Sequence, residues 1–352
     1  MKVLVIGGTG AMGKHLVSLL SNRNIDCYVT TRKCHSEKEH IKYIQGNAHN
    51  IDFFTKVLDM EKWDAIVDFM IYSTNEFNKR VHYIFNSGAQ YFFISTARVY
   101  AGTEERITEK SPRLIDVCND YEYLKTDEYA LSKARQENTL LTSNNKNWII
   151  IRPYITFSEN RLQLGPFEKE FWLYRALQGK KVVVTSDFLE KETTLTYGKS
   201  VAEAIISLLG KKSASGEIFN VATNKSLKWR SVLDIYSQAF EETIGRRMLI
   251  YETEKWHQRM GGGSWQFKYD RLYNRLFDDS KIRSYLSDFS NDPYNDLYEC
   301  IKYFLRHPKF NAITWASEAY KDRITHELNG FNSITGFKNK LKYYIVRFGF
   351  YS

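Results

Sequence analysis

Lys2-Val3-Leu4-Val5-Ile6 runs directly into Gly7-Gly8-Thr9-Gly10-Ala11-Met12-Gly13, and Leu16, Val17, Leu19 and Leu20 then recur at helical spacing. The first five residues form a short apolar run closed by glycine, the pattern of a strand buried on both faces of a parallel sheet. The glycines satisfy G-x-G-x-x-G between a strand and a helix, the context in which that spacing carries meaning. Glycine permits the tight turn, lets backbone approach a pyrophosphate, and lets the helix pack closely on the strand; the helix N-terminus then favours phosphate charge. Gly7, Gly8, Thr9, Gly10, Ala11, Met12 and Gly13 are therefore the expected cradle of a dinucleotide. The alternative is a glycine-rich turn that holds nothing.

Working outward, strands are expected at Asp26–Thr31, Ile41–Gln45, Ala65–Met70, Tyr91–Ser95, Trp148–Arg152 and Gly216–Val221. Helices alternate with them at Phe53–Leu58, about 77–86 and Glu128–Leu141, and such alternation means a parallel sheet covered on both faces. After Arg152 the pattern breaks. Glu168–Leu177 reads as a helix, and Ser200 with Glu203 as the capping box of another. The expected fold is α/β: a doubly wound parallel (Rossmann) sheet with a smaller, mostly helical C-terminal substrate part. Residues 1–153 with about 193–222 should form the dinucleotide-binding domain, and 154–192 with 223–330 the substrate part. Residues 331–352 are read as a basic, aromatic tail.

Composition narrows the function. The 352 residues suffice for a large core, and the 43% hydrophobic content argues against disorder. Cys27, Cys34, Cys118 and Cys300 make no C-x-x-C pair, and the histidines make no ligand spacing, so neither a disulfide framework nor a metal is expected. No apolar run reaches the roughly 18 residues of a membrane span, and no leader precedes the first strand, so the expected compartment is the cytoplasm. The net charge of +9 points to an anionic partner or simply to a solvated basic surface.

Three further places carry chemistry. Thr31 and Arg32 end the second strand, where NAD-preferring proteins place an acid for the ribose hydroxyls. An arginine attracts a 2′-phosphate instead, so the expected cofactor is NADP or NAD, with NADP favoured. The alternative for Arg32 is a solvated basic loop. Tyr129 and Lys133 lie four residues apart on one helix face, where an ammonium would favour tyrosinate and let Tyr129 exchange a proton with a hydroxyl or carbonyl. Thr96, in Ile94-Ser95-Thr96-Ala97-Arg98-Val99-Tyr100, stands at the carboxyl end of the fifth strand, the edge where doubly wound sheets bind ligands. It is otherwise a polar strand end satisfied by backbone.

Together and in this order these motifs resemble the extended short-chain dehydrogenase/reductase family of nucleotide-sugar epimerases, dehydratases and reductases. The resemblance runs from residue 1 to about 285. It implies Thr96, Tyr129 and Lys133 as the catalytic set, and Phe69, Lys133, Arg152 and Pro153 as further cofactor contacts. It also implies a nucleotide-sugar substrate and hydride transfer at a sugar carbon, by an epimerase or a keto-reductase. This chain departs from the family at three places. Ile155 stands where members often carry asparagine, and Ser158 and Glu159 where they carry Gly-Pro. Ala97 and Arg98 stand where the dehydratases carry Asp-Glu, which argues against elimination of water.

Two other readings stay open. One is a non-catalytic protein on the same fold that binds a dinucleotide or RNA, although retention of Tyr129 and Lys133 weighs against it and nucleic acid is not the expected partner. The other places a peripheral membrane contact in the tail, where Leu341, Tyr343, Tyr344, Ile345, Val346, Phe348, Phe350 and Tyr351 lie among Lys338, Lys340, Lys342 and Arg347. The plainer reading of the tail is a helix or strand packed on the protein. A homodimer is compatible with all of these.

Overall fold

The computed structural model describes residues 1–286, 289 and 292–349; Phe350 and Tyr351 of the tail lie outside the described residues. The chain divides into two units. The first comprises Met1–Ser158, Thr194–Ser226 and Arg275–Pro293; the second comprises Glu159–Thr193, Leu227–Asn274 and the chain from Tyr294 onward.

Seven parallel strands carry the first unit: β1 (Lys2–Ile6), β2 (Asp26–Thr31), β3 (Ile41–Gln45), β4 (Ala65–Asp68), β5 (Gln90–Ile94), β6 (Trp148–Pro153) and β7 (Glu217–Val221). Their order across the sheet is β7-β6-β5-β4-β1-β2-β3. Val3 pairs with Cys27 on one side and Ala65 on the other, so β1 is an interior strand from which the chain winds outward both ways. Side chains alternate along a strand, and here both sets are apolar. Val3, Val5, Val29, Val67 and Ile151 pack under α1 (Gly13–Ser21) and α6 (Gly198–Leu208). Leu4, Ile6, Ile66, Phe93 and Ile150 pack on the other face, under α2 (Ile51–Leu58), α3 (Thr74–Asn78) and α4 (Val81–Asn86). Burial on both faces is why these strands read as continuous apolar runs.

The helix expected over about 77–86 is two short helices, α3 and α4. Arg80 at the break is buried, donating from Nη1 to the Glu76 carbonyl at 2.8 Å and stacking 4.7 Å from the Tyr72 ring centroid. The capping box expected at Ser200 does not form at a helix start, because α6 begins two residues earlier at Gly198. A side chain at Gly198 would put its Cβ 2.7 Å from the Ala11 carbonyl oxygen, so only glycine lets the helix start this close to the glycine-rich loop. Residues 275–293 also differ from expectation, since they belong to the first unit. Across that return Ile107 N–H donates to the Leu276 carbonyl at 2.7 Å and Asp278 N–H to the Ile107 carbonyl at 3.0 Å, Arg275 Nη1 donates to the Ala101 carbonyl at 2.9 Å, and Lys281 Nζ to the Ile218 carbonyl at 2.8 Å.

One buried carboxylate joins several elements of the first unit. Glu137, on α5 (Tyr129–Leu141), is fully buried. It accepts from Arg152 Nε at 2.8 Å and Nη2 at 2.6 Å, from Ser95 Oγ at 2.6 Å, and from Arg113 Nη1 at 3.2 Å. Arg152 Nη1 donates to the Tyr100 hydroxyl at 2.6 Å, which donates to Asn220 Oδ1 at 2.7 Å. Helix α5 is thus tied to the ends of β5, β6 and β7.

The second unit is mostly helical. Helices at Lys169–Leu177, Trp229–Ile244 and Pro293–Arg306 accompany α7 (Trp315–Thr325) and α8 (Phe337–Phe348), with one small parallel strand pair, Val182–Thr185 with Ile250–Thr253. Trp172 stacks on Tyr236 in its core, with centroids 4.7 Å apart. Arg175, fully buried, holds Glu318 and Asp322 of α7 at 2.8 Å each and Glu327 at 2.9 Å. Tail residues 331–349 belong to this unit and pack through Tyr343 on Trp315, Ala319 and Ile334.

Glu137→Gln leaves Arg152 and Arg113 facing a neutral amide in a dry site. Breaking a buried pair from one side costs about 3–5 kcal/mol, so the variant should unfold at a much lower urea concentration than the parent. An unfolding midpoint within error of the parent would show that Glu137 is not the tie described.

Candidate active site

The glycine loop leaves β1 at Gly7, whose φ of +71° lies in the left-handed region open to glycine. Its N–H donates to Thr30 Oγ1 at 2.9 Å, which anchors the loop to β2. A Cβ at Gly8 would lie 2.7 Å from Val5 and 2.9 Å from Val29, and one at Gly13 would lie 2.6 Å from the backbone of Gly8. These two glycines let α1 sit directly on the strands. Gly10 is different: a Cβ there would meet nothing within 4 Å. The loop therefore presents open backbone at its middle glycine. No side chain caps α1 at Met12, and no acid stands in its first turn, so its N-terminal dipole is available to an anion. The close packing at Gly8 and Gly13, the open Gly10 and the uncapped helix together fit a dinucleotide pyrophosphate. Thr9, Ala11 and Met12 complete the loop. Thr31 is buried, accepting from Lys33 N at 3.2 Å, while Arg32 is exposed with no ion-pair partner among the described residues.

The loop and α5 meet at the end of β4. Gly7 abuts Met70, whose sulfur would lie 3.0 Å from a Cβ there. Lys133 Nζ, buried, donates to the Met70 carbonyl at 3.2 Å and lies 4.5 Å from the Phe93 ring centroid. Phe69, half-buried, is the residue before Met70. Burial pushes the Lys133 ammonium down to about 8, against the opposing pull of Asp68 and Glu137. Asp68 itself is pushed up to about 6 by burial, although Met70 N–H and the Tyr91 hydroxyl donate to it and Lys133 lies near. Asp68 was not singled out in the sequence: it reads there as one polar residue in an apolar strand, and only its placement beside Lys133 gives it meaning.

Tyr129 opens α5, and the residue before it fixes that end. Glu128 accepts from Ala130 N at 2.8 Å, from the Tyr123 hydroxyl at 3.1 Å and from Arg98 Nη2 at 2.7 Å. The Arg98 guanidinium also lies 5.5 Å from the Tyr129 ring centroid. Arg98 N donates to Thr96 Oγ1 at 3.2 Å. The segment that begins at Thr96 therefore reaches the tyrosine through Arg98. Charge at position 98 is reversed from the glutamate of the resembled dehydratases, and here it serves the helix carrying Tyr129. The Arg98–Glu128 pair was missed in the sequence, because nothing in the spacing of residues 98 and 128 links them.

One expectation changes. Arg152 was assigned to the cofactor, but its guanidinium is buried and turned to Glu137 and Tyr100, which makes it part of the frame behind the site. Pro153 closes β6, paired with Val221 of β7. Ile155 is buried with φ +32°, a conformation a β-branched residue rarely adopts. Such strain collects at functional sites, and it falls where the resembled family often carries asparagine.

Known proteins share this fold. The family model described as "NAD dependent epimerase/dehydratase family" matches residues 3–222. The chain is 25% identical over 240 residues to the chloroplast stem-loop binding protein of 41 kDa b from Arabidopsis thaliana, spanning 64% of this chain and 59% of that one. It is 24% identical over 293 residues to the mouse dTDP-D-glucose 4,6-dehydratase, spanning 72% of this chain and 76% of that one. Among solved structures, the Thermus thermophilus UDP-glucose 4-epimerase complex with NAD aligns at a TM-score of 0.65 and 17% identity, covering 88% of this chain and 100% of that one.

Lys133 supplies a two-part test. With its ammonium held near 8, the charge it brings to the site is lost as pH rises through about 8, so kcat/KM should fall there. The folded lysine binds fewer protons than the unfolded one between about 8 and 10.5, so this group makes stability rise with pH across that window. Lys133→Met should therefore lose turnover and be most stable relative to the parent at neutral pH, with the gap narrowing by about pH 10. A gap that stays constant would mean the lysine titrates normally.

Proposed function

The chain belongs to the NAD dependent epimerase/dehydratase family, and from that membership we propose that it is an enzyme of reversible hydride transfer at a carbon of a nucleotide sugar, acting as an epimerase or a keto-reductase. The observation that carries this reading is the convergence of the open glycine loop, Lys133 and the α5 end bearing Tyr129 on one edge of the parallel sheet. The names of the relatives support a nucleoside-diphosphate hexose as substrate class, since they include a dTDP-glucose dehydratase and a UDP-glucose epimerase.

A nicotinamide dinucleotide bound along Gly7–Gly13 would accept or return the hydride. Tyr129 takes the proton of the sugar hydroxyl as the carbon is oxidised and gives it back on reduction. Thr96 holds the same oxygen. Lys133 supplies positive charge beside the tyrosine and a donor for the cofactor ribose, with Phe69 flanking. Arg98 pairs with Glu128 and lies over the Tyr129 ring, so it positions the acid/base group. With Ala97 and Arg98 after Thr96, no carboxylate stands there to draw a proton from carbon, which sets this site apart from elimination of water.

A second reading has one observation behind it. The Arabidopsis relative is named for stem-loop binding, and the net charge here is +9. RNA binding through several phosphates would weaken steeply with salt, and would survive loss of Tyr129.

Two outcomes test the proposal. Purified protein given a panel of dTDP- and UDP-hexoses with oxidised or reduced cofactor should form a product without loss of water. Tyr129→Phe should slow that turnover by at least two decades, within the roughly 10²–10⁴ typical of acid–base groups. Near-native turnover in that variant would remove Tyr129 from the mechanism, and no turnover on any nucleotide sugar would favour the binding reading. Arg32, exposed and unpaired, should make NADP bind more tightly than NAD. Arg32→Ala should weaken NADP at least about tenfold, the scale of a charge-assisted contact, and leave NAD nearly unchanged; equal titration curves for both cofactors on the parent would sink this part.

A further inference from the structure

Helix α8 is apolar on two opposite sides. At about 100° per residue, Tyr343 and Val346 fall on one side, and Phe337, Leu341, Ile345 and Phe348 fall within roughly 80° of arc on the other. The first side is anchored. Tyr343 is fully buried against Trp315, and its hydroxyl meets Asp322, which Arg175 and Lys180 hold at 2.8 and 2.7 Å. Arg347 Nε donates to the Glu327 carbonyl at 2.8 Å at the far end. The second side faces out: Phe337 is 77% exposed, Leu341 55%, Ile345 44% and Phe348 58%. Single exposed apolar residues are ordinary, but a continuous stripe along a helix marks an interaction surface.

The charge around the stripe selects its partner. Lys338 and Lys342 border it on one side, and Lys340 and Arg347 on the other. Lys340 Nζ lies 3.8 Å from the ring centroid of Phe331, itself 54% exposed. No aspartate or glutamate occurs from Leu328 to the end of the sequence. The nearby acids Glu318 and Asp322 are buried beneath the helix and paired with Arg175 and Lys180. Leu341 and Ile345 also form one wall of a cavity of about 760 Å³, whose other lining includes Phe171, Arg259, Lys338 and Lys342. A second copy docking through the same face would bring lysines against lysines, because a two-fold contact is self-complementary. An anionic lipid surface matches both the stripe and its borders.

We propose that α8 docks this protein on an anionic bilayer, with Phe337, Leu341, Ile345 and Phe348 entering the headgroup–acyl boundary and the flanking cations among the phosphates. Among the described residues no helix is long and apolar enough to cross a membrane, so the contact is peripheral. It is independent of the chemistry proposed for the first unit.

Flotation of the full chain with vesicles tests this. The parent should float with phosphatidylcholine vesicles containing phosphatidylglycerol, far less with phosphatidylcholine alone, and should be released by high salt. Leu341→Glu with Ile345→Glu should abolish flotation. Lys338→Gln with Lys342→Gln, a milder change at exposed positions, should lower the partition about tenfold or more, following the usual contribution of each basic residue at such a surface. Thermal melts and cofactor binding should match the parent in both variants. The proposal is overturned if the parent does not float with anionic vesicles, if the Lys338/Lys342 variant floats equally well, or if light scattering shows a dimer that the glutamates dissolve while vesicles never bind.

Discussion

Glu137 is the group on which the arrangement of the first unit depends. A fully buried carboxylate is tolerable only when its charge is met and its lone pairs are filled. Arg152, Arg113 and Ser95 meet it from three directions. Because Arg152 ends β6, Ser95 follows β5 and Glu137 lies two turns along the helix from Tyr129, one ion pair fixes where the helix lies over the carboxyl edge of the sheet. The Tyr100 hydroxyl extends the same network to Asn220 on β7. Lys133, one turn before Glu137, is thereby carried to the Met70 carbonyl beside the glycine loop. The frame is dry and charged so that the edge it supports can be open.

The opposite end of the same helix is held by different means. Arg98 and Glu128 form a partly buried pair at the point where Tyr129 begins α5. A pair of this kind gains more from its interaction than an exposed one, since less water screens it. It couples the segment after Thr96 to the helix bearing Tyr129 and Lys133, so the three residues of the proposed catalytic set are not independent placements.

Much of the first unit was legible because its signals are local. The β1–α1 passage joins an apolar run, a glycine pattern and a helical period within 20 residues, and the strands announce themselves through burial on both faces. The site was legible as far as spacing within one element reached: Tyr129 and Lys133 share a helix, and Gly7 to Gly13 share a loop. What the sequence could not show are pairs distant along the chain. Arg152 reads as a strand-end arginine until Glu137 is seen against it, and Arg98 reads as a mere departure until Glu128 is found beside it. The helix start at Gly198 was hidden for the same reason, since it depends on the Ala11 carbonyl nearly 190 residues earlier. In the tail, composition showed apolar and basic residues together, but only the packing of Tyr343 separates the side that is covered from the side that is not.

The central claim is that this edge of the sheet moves a hydride between a nicotinamide and a sugar carbon. The most direct measurement is a single turnover: protein loaded with oxidised cofactor, mixed with excess nucleotide hexose, and followed in the near-ultraviolet band of reduced nicotinamide. The account predicts that the band appears on mixing and does so more slowly when the hydrogen at the reacting sugar carbon is deuterium. A protein that binds both molecules with no reduced nicotinamide formed, and no exchange of that deuterium into product or cofactor, would contradict it.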